Sequence, residues 1–178
     1  TGICYHGTQV AVSGIMSEII WDWLLNDFDP KKVELDKCYP SFEEMEPRVK
    51  AAFDWLDDTH NAANECWADY QKKLQRWHDH KAEFKAFLES FDEFKKAVAP
   101  WVKKPEYIAD CMHKANAPTR YSKLNFPVDG KTVRWAVTNC HLMRNRFSVI
   151  DLLHFTGFWT DEFVQKLIER AEAMDAGL

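Results

Sequence analysis

The chain has 178 residues, 46% hydrophobic and 29% charged, an ordinary globular balance that suits one domain. Its formal charge of −5, with basic residues scattered among acidic ones, argues against a sequence-independent grip on nucleic-acid phosphates. The five cysteines, Cys4, Cys38, Cys66, Cys111 and Cys140, are an odd number with no two close together. That argues against a zinc knuckle, a CxxC redox motif or a dense disulfide framework.

The first uncharged run, residues 1–17, is too polar and too short to span a bilayer, and it lacks the basic start of a secretory signal. No N-x-S/T site occurs. The expectation is a cytoplasmic protein with no membrane partner; a processed, secreted chain with one or two disulfides is the alternative.

A first helix is predicted over residues 9–27. Val12, Ile15, Met16, Ile19, Ile20, Trp23 and Leu24 recur at helical spacing, and the FDP of Phe28 to Pro30 ends it. SFEE, from Ser41 to Glu44, reads as a capping box. It opens a helix with Phe42, Met45, Val49, Phe53 and Leu56 on one stripe, a stripe that His60 continues. Residues 57–99 hold no glycine or proline. One helix of that length would run roughly 60 Å, so breaks are predicted near residues 57–61 and 78–81. The stripe of Trp67, Tyr70, Leu74 and Trp77 precedes a second of Phe84, Phe87, Leu88, Phe91 and Phe94.

A short helix follows over residues 106–116. Then LNFPVDGKTVRW breaks the rhythm. Asp129-Gly130 is a turn signal that Phe126, Val128 and Val133 would flank as a small hairpin; alternatively Thr132 caps the next helix. That helix is predicted to run unbroken over residues 133–156 and to stop at Gly157. Thr160 caps a last helix with Phe163, Val164, Leu167 and Ile168 inward. The sum is an all-α, up-down bundle of five or six helices, a single domain over residues 1–178.

On a helical wheel the 133–156 segment places Ala136, Cys140, Met143, Phe147, Ile150 and Leu153 on its apolar arc. Asn139, Arg146 and His154 fall inside that arc, while His141 falls outside. A buried arginine needs a partner or a wet cavity, so Arg146 is a candidate anchor for an anionic group, or else a rim residue paired with a carboxylate. Asn139 reads as a hydrogen bond between helices or as a ligand contact.

Three D-x-x-H pairs occur: Asp57–His60, Asp110–His113 and Asp151–His154. At that spacing the two side chains can share a metal, or the carboxylate can orient the imidazole. Asp110 and His113 lie on a polar face and read as solvated, as do His78 and His80. His60 and His154, with Asp57 and Asp151, remain as candidate ligands for zinc, iron or nickel, or as core histidines.

YPSFEEMEPRVKAAFDWLDD and FPVDGKTVRWAVTNCHLMRNRFSVIDLLHFTGF together resemble the second helix, and the turn plus later long helix, of the DinB-like superfamily of helical bundles. The resemblance implies a bundle that holds a divalent metal through one histidine of the second helix and an H-x-x-x-H pair of a later one. His60 would match the former and His154 one of the latter. Ile150 and Phe158 stand where the second histidine of that pair would be, so either Asp151 serves as an oxygen ligand or the metal is absent. Some members are metal-dependent thiol transferases or hydrolases.

Three functions are open on the sequence. The first is a small-molecule enzyme or binder with a polar cavity between helices. It would use His154 and Asp151 as acid–base or ligand groups, Arg146 and Asn139 on the substrate, and Trp21, Trp67 and Trp135 as aromatic walls. The second is a haem protein, although no C-x-x-C-H motif is present. The third is a non-enzymatic interaction module whose Phe84–Phe94 stripe meets a partner, a homodimer among the arrangements open to it.

Overall fold

The computed structural model describes residues 6–126 and 128–174. Among them are nine α-helices, five short 3-10 segments and no strand, so the fold is all-α. The helices are α1 (His6–Asn26), α2 (Phe42–Phe53), α3 (Asn61–Asp79), α4 (Lys81–Glu89), α5 (Phe91–Val98), α6 (Pro105–Lys114), α7 (Gly130–Asn139), α8 (Val149–Phe155) and α9 (Asp161–Ala173). None is long and apolar enough to cross a membrane.

The chain divides into two compact units. One comprises Thr1–Phe28, Asp92–Val137 and Asp161–Leu178; the other comprises Asp29–Phe91 and Thr138–Thr160. In the first unit α1 packs on α6 and α9. Val12, Ile15, Met16, Ile19, Ile20 and Leu24 of α1 meet Ala109 and Met112 of α6 and Val164, Leu167 and Ala171 of α9 in the core. In the second unit α2 lies along α3, and the 3-10 segment Cys140–Met143 also packs on α3. Met45, Val49 and Phe53 join Tyr70, Leu74, Trp77, Leu142, Leu153 and Phe155 there.

The helix starts obey local chemistry. Ser41 Oγ accepts from the Glu44 amide at 3.1 Å, and Glu44 Oε2 accepts from the Ser41 amide at 2.7 Å, closing the capping box. Asp57 caps α3: its carboxylate accepts from the amides of Thr59, Asn61 and Ala62 and from the Thr59 hydroxyl. These bonds, the Thr59 hydroxyl first, hold its pKa at about 2. The long 57–99 stretch breaks at both expected places and again at Ser90, between α4 and α5. Its aromatic stripe is largely occupied at home. Phe84 packs on Trp77 and Phe87, and Phe87 on Phe91.

Three expectations are corrected. First, α2 ends at Phe53 and a 3-10 turn, Asp54–Leu56, follows. The stripe therefore does not reach Leu56 or His60, and both are exposed. Second, no hairpin forms among the described residues around Phe126, Val128 and Val133. Asp129 instead caps α7, accepting from the amides of Lys131 and Thr132 and from the Thr132 hydroxyl. The Asp-Gly signal is a helix start rather than a strand turn. Third, the 133–156 helix is in three pieces: α7, the 3-10 segment Cys140–Met143, and α8. Lys73 captures the His141 carbonyl and Arg76 the Asn145 carbonyl, two acceptors that a continuous helix would have used itself. Ser148 then restarts the chain, with its amide and hydroxyl both donating to Asp151 Oδ2, at 2.7 and 2.9 Å.

Candidate functional site

The break reverses which polar groups go inward. His141, expected outside, is 4% exposed, whereas Arg146, expected inside, is exposed in the 144–148 loop. His154 is inward as expected but keeps a partly exposed edge. The two imidazoles lie with ring centroids 4.5 Å apart at an interplanar angle of 47°. Trp159 meets His141 edge-on at 6.2 Å. Phe155 lies 5.1 Å from His154.

Tyr70 of α3 lies behind His154, its hydroxyl 3.3 Å from Nε2. Burial first, and then the Asp151 charge, pushes the Tyr70 pKa up, so it is a neutral phenol. A phenol next to a neutral imidazole is the natural donor, which leaves Nδ1 of His154 carrying its proton. That nitrogen makes no hydrogen bond among the described residues. Both ring nitrogens of His141 are enclosed and, among the described residues, without a hydrogen-bond partner.

One turn on from Tyr70, Lys73 is also buried. Its Nζ lies 2.5 Å from Asp151 Oδ1, with the two side chains 1% and 0% exposed, and it donates to the His141 carbonyl. An ammonium and a carboxylate this close and this enclosed form a charge-assisted pair. Nζ also sits over the Tyr70 ring, 5.1 Å from its centroid. Burial lowers the Lys73 pKa and raises that of Asp151, and the partners' mutual attraction opposes both shifts. Burial likewise lowers both imidazoles, His154 to about 3, with the positive charges of Lys73 and Arg48 adding to it. Both rings are therefore neutral near neutral pH. Cys140 beside them is exposed as a residue, yet crowding of its thiol and the Asp151 charge push it up to about 11.

The D-x-x-H aspartates do not serve their own histidines. Asp151 is given to Lys73 and Ser148, and Asp57 to the start of α3. His60 sits at φ 58, exposed, with Nδ1 2.5 Å from Asp54 Oδ1. Among the described residues no group of three or more His, Cys, Asp or Glu is arranged to hold a metal ion. His60, Asp57, Asp151 and His154 thus do not form the ligand set that the sequence suggests. Asn139, half-buried, is the N-cap of the Cys140–Met143 turn. Of the tryptophans, Trp67 stacks on Tyr70 at 6.3 Å and so borders the polar cluster. Trp21 and Trp135 belong to the first unit, where Trp21 packs on Phe94. An open hollow of about 560 Å³ lies in the second unit between Phe42, Gln71, Lys72, Gln75, Arg76 and Asn145.

Sequence reasoning passed over Lys73, Tyr70 and His141. Lys73 had a readable signal: a cation on the apolar stripe of Cys66, Tyr70, Leu74 and Trp77. Ser148-Val149-Ile150-Asp151 had one too, the spacing of a capping motif that starts a helix within the apparent long one. Comparison with family models, with curated proteins and with solved structures finds no match to the chain.

Proposed function

We propose that the chain is a small-molecule enzyme or binder whose site is the His141–His154 pair of the second unit. One observation carries this reading: an imidazole 4% exposed, with both nitrogens unpartnered, faces a second imidazole whose Nδ1 is also unpartnered. A buried polar group left without a hydrogen bond costs about 1–3 kcal/mol. An apolar side chain of similar size would serve packing better, so the nitrogens are best explained by a ligand that meets them.

The chemistry of the pair narrows the ligand. Neutral imidazoles donate hydrogen bonds without carrying charge, as suits polarising a carbonyl or carboxylate oxygen. Lys73 and Arg48 make the surroundings favourable to negative charge developing on that oxygen. The DinB-like resemblance adds a helical-bundle setting to this reading, but His60 is too exposed, and too committed to Asp54, to join the pair as a metal ligand. Arg146 and Asn139 lie on the segments flanking the cluster rather than in it.

The test uses the whole chain and three small oxygen ligands: acetate, acetamide and inorganic phosphate. Two-bond 1H–15N spectra of the histidine rings follow each titration. Saturable shifts of both the His141 and His154 signals with at least one probe are expected, and the His154 shift should be abolished in His141→Leu. Rings that stay unperturbed by all three probes at tens of millimolar would overturn the reading.

A further inference from the structure

Among the described residues, Lys73 and Asp151 are the charged side chains of the core. A buried ion pair is weak evidence for stability, because well-packed apolar residues in its place are often as stable or more so. What this pair does have is connectivity. Lys73 Nζ reaches the His141 carbonyl on one side and the Asp151 carboxylate on the other. Asp151 lies one turn before His154 in α8, and its second oxygen is held by the amide and hydroxyl of Ser148. Tyr70, one turn before Lys73 on α3, meets His154 itself. A single stretch of α3 thus holds the backbone of one histidine and the helix start and ring of the other.

We propose that Lys73 is the positioning residue of the histidine pair: it pins the Cys140–Met143 segment and the start of α8 to one point on α3, and so brings the two imidazoles into contact. The proposal rests on the reading of His141 and His154 as the site. Lys73 touches neither ring nitrogen; it acts through a carbonyl and a carboxylate. In its absence the chain between Asn139 and Ser148 has the option of resuming its helical ladder, which would carry His141 away from His154.

The test is a charge-conserving double variant, Lys73→Met/Asp151→Leu, which removes one positive and one negative group together. Net charge is unchanged, and the ring-to-ring contact is the readout of geometry, because the His154 pKa also loses the direct influence of the Lys73 charge. The fold is monitored by circular dichroism and thermal melting, and the rings by nuclear Overhauser contacts and pH titration. The expected result is a folded chain that has lost the ring-to-ring contact between His141 and His154 and whose His154 pKa has risen from about 3 toward 6.5. Lys73→Gln, similar in length and uncharged, serves as the second variant if the double one does not fold; it should weaken the same contact. A folded variant of either kind that keeps the ring contact overturns the proposal, whatever its His154 pKa. These readouts need no ligand, so their failure is distinct from failure of the probe titration.

Discussion

At the scale of single residues, His141 is the side chain on which the proposed site costs the fold most. Its ring is enclosed and kept neutral, and neither nitrogen has a hydrogen-bond partner among the described residues. His141→Leu removes that burden while roughly conserving volume, so we expect it to stabilise the chain by about 1–3 kcal/mol in chemical denaturation. Destabilisation by a similar amount would show that the ring nitrogens hold the fold rather than a ligand. Arg146 teaches the converse. Its wheel position faced the apolar arc, but the wheel applied to a helix that is not there. Once the backbone turns out of the helical path, the arginine reaches water and avoids the desolvation that burial would have imposed.

At the scale of elements, boundaries follow short-range signals. Ser41 with Glu44, Asp57 with the amides of α3, and Asp129 with those of α7 each satisfy donors that a helix start leaves open. Ser41→Ala should cost about 1 kcal/mol and lower the urea midpoint without changing the slope of unfolding. An unchanged midpoint would mean that the packing of α2 on α3 alone sets its start. The capping box was legible from four letters. The break after Asn139 was not, because the groups that cause it lie far off in the chain. Lys73 and His141 are 68 positions apart, Arg76 and Asn145 are 69 apart, and Tyr70 and His154 are 84 apart.

At the scale of the molecule, the buried histidines set the response to acid. A neutral buried imidazole has its folded pKa below its unfolded one. Its contribution is therefore complete above the unfolded value of 6.5 and is lost as pH falls toward the folded value, about 3 for His154. His141 acts in the same direction. Asp57, lowered from 3.8 to about 2, adds a loss of the same sign further down. Asp151, raised by burial, works against these, since its protonated form is favoured in the fold. Thermal midpoints should fall steadily from about pH 7 to about pH 4, and His141→Leu/His154→Leu should flatten the fall. A wild-type chain whose midpoint is level across that range would contradict the neutral, enclosed state of the pair.

The amino-acid sequence by itself determined the all-α class, most helix starts and the apolar stripes, because caps and 3.6-residue periodicity act over a few neighbouring positions. It also put His154 inside. The tertiary structure alone decided that His141 joins it, that Asp151 answers Lys73 rather than its neighbouring histidine, and that His60 stays at the surface. Burial and pairing of polar groups depend on which distant segment arrives opposite them. Two cations of α3 claiming two backbone carbonyls were enough to end a helix that every local signal but one had favoured.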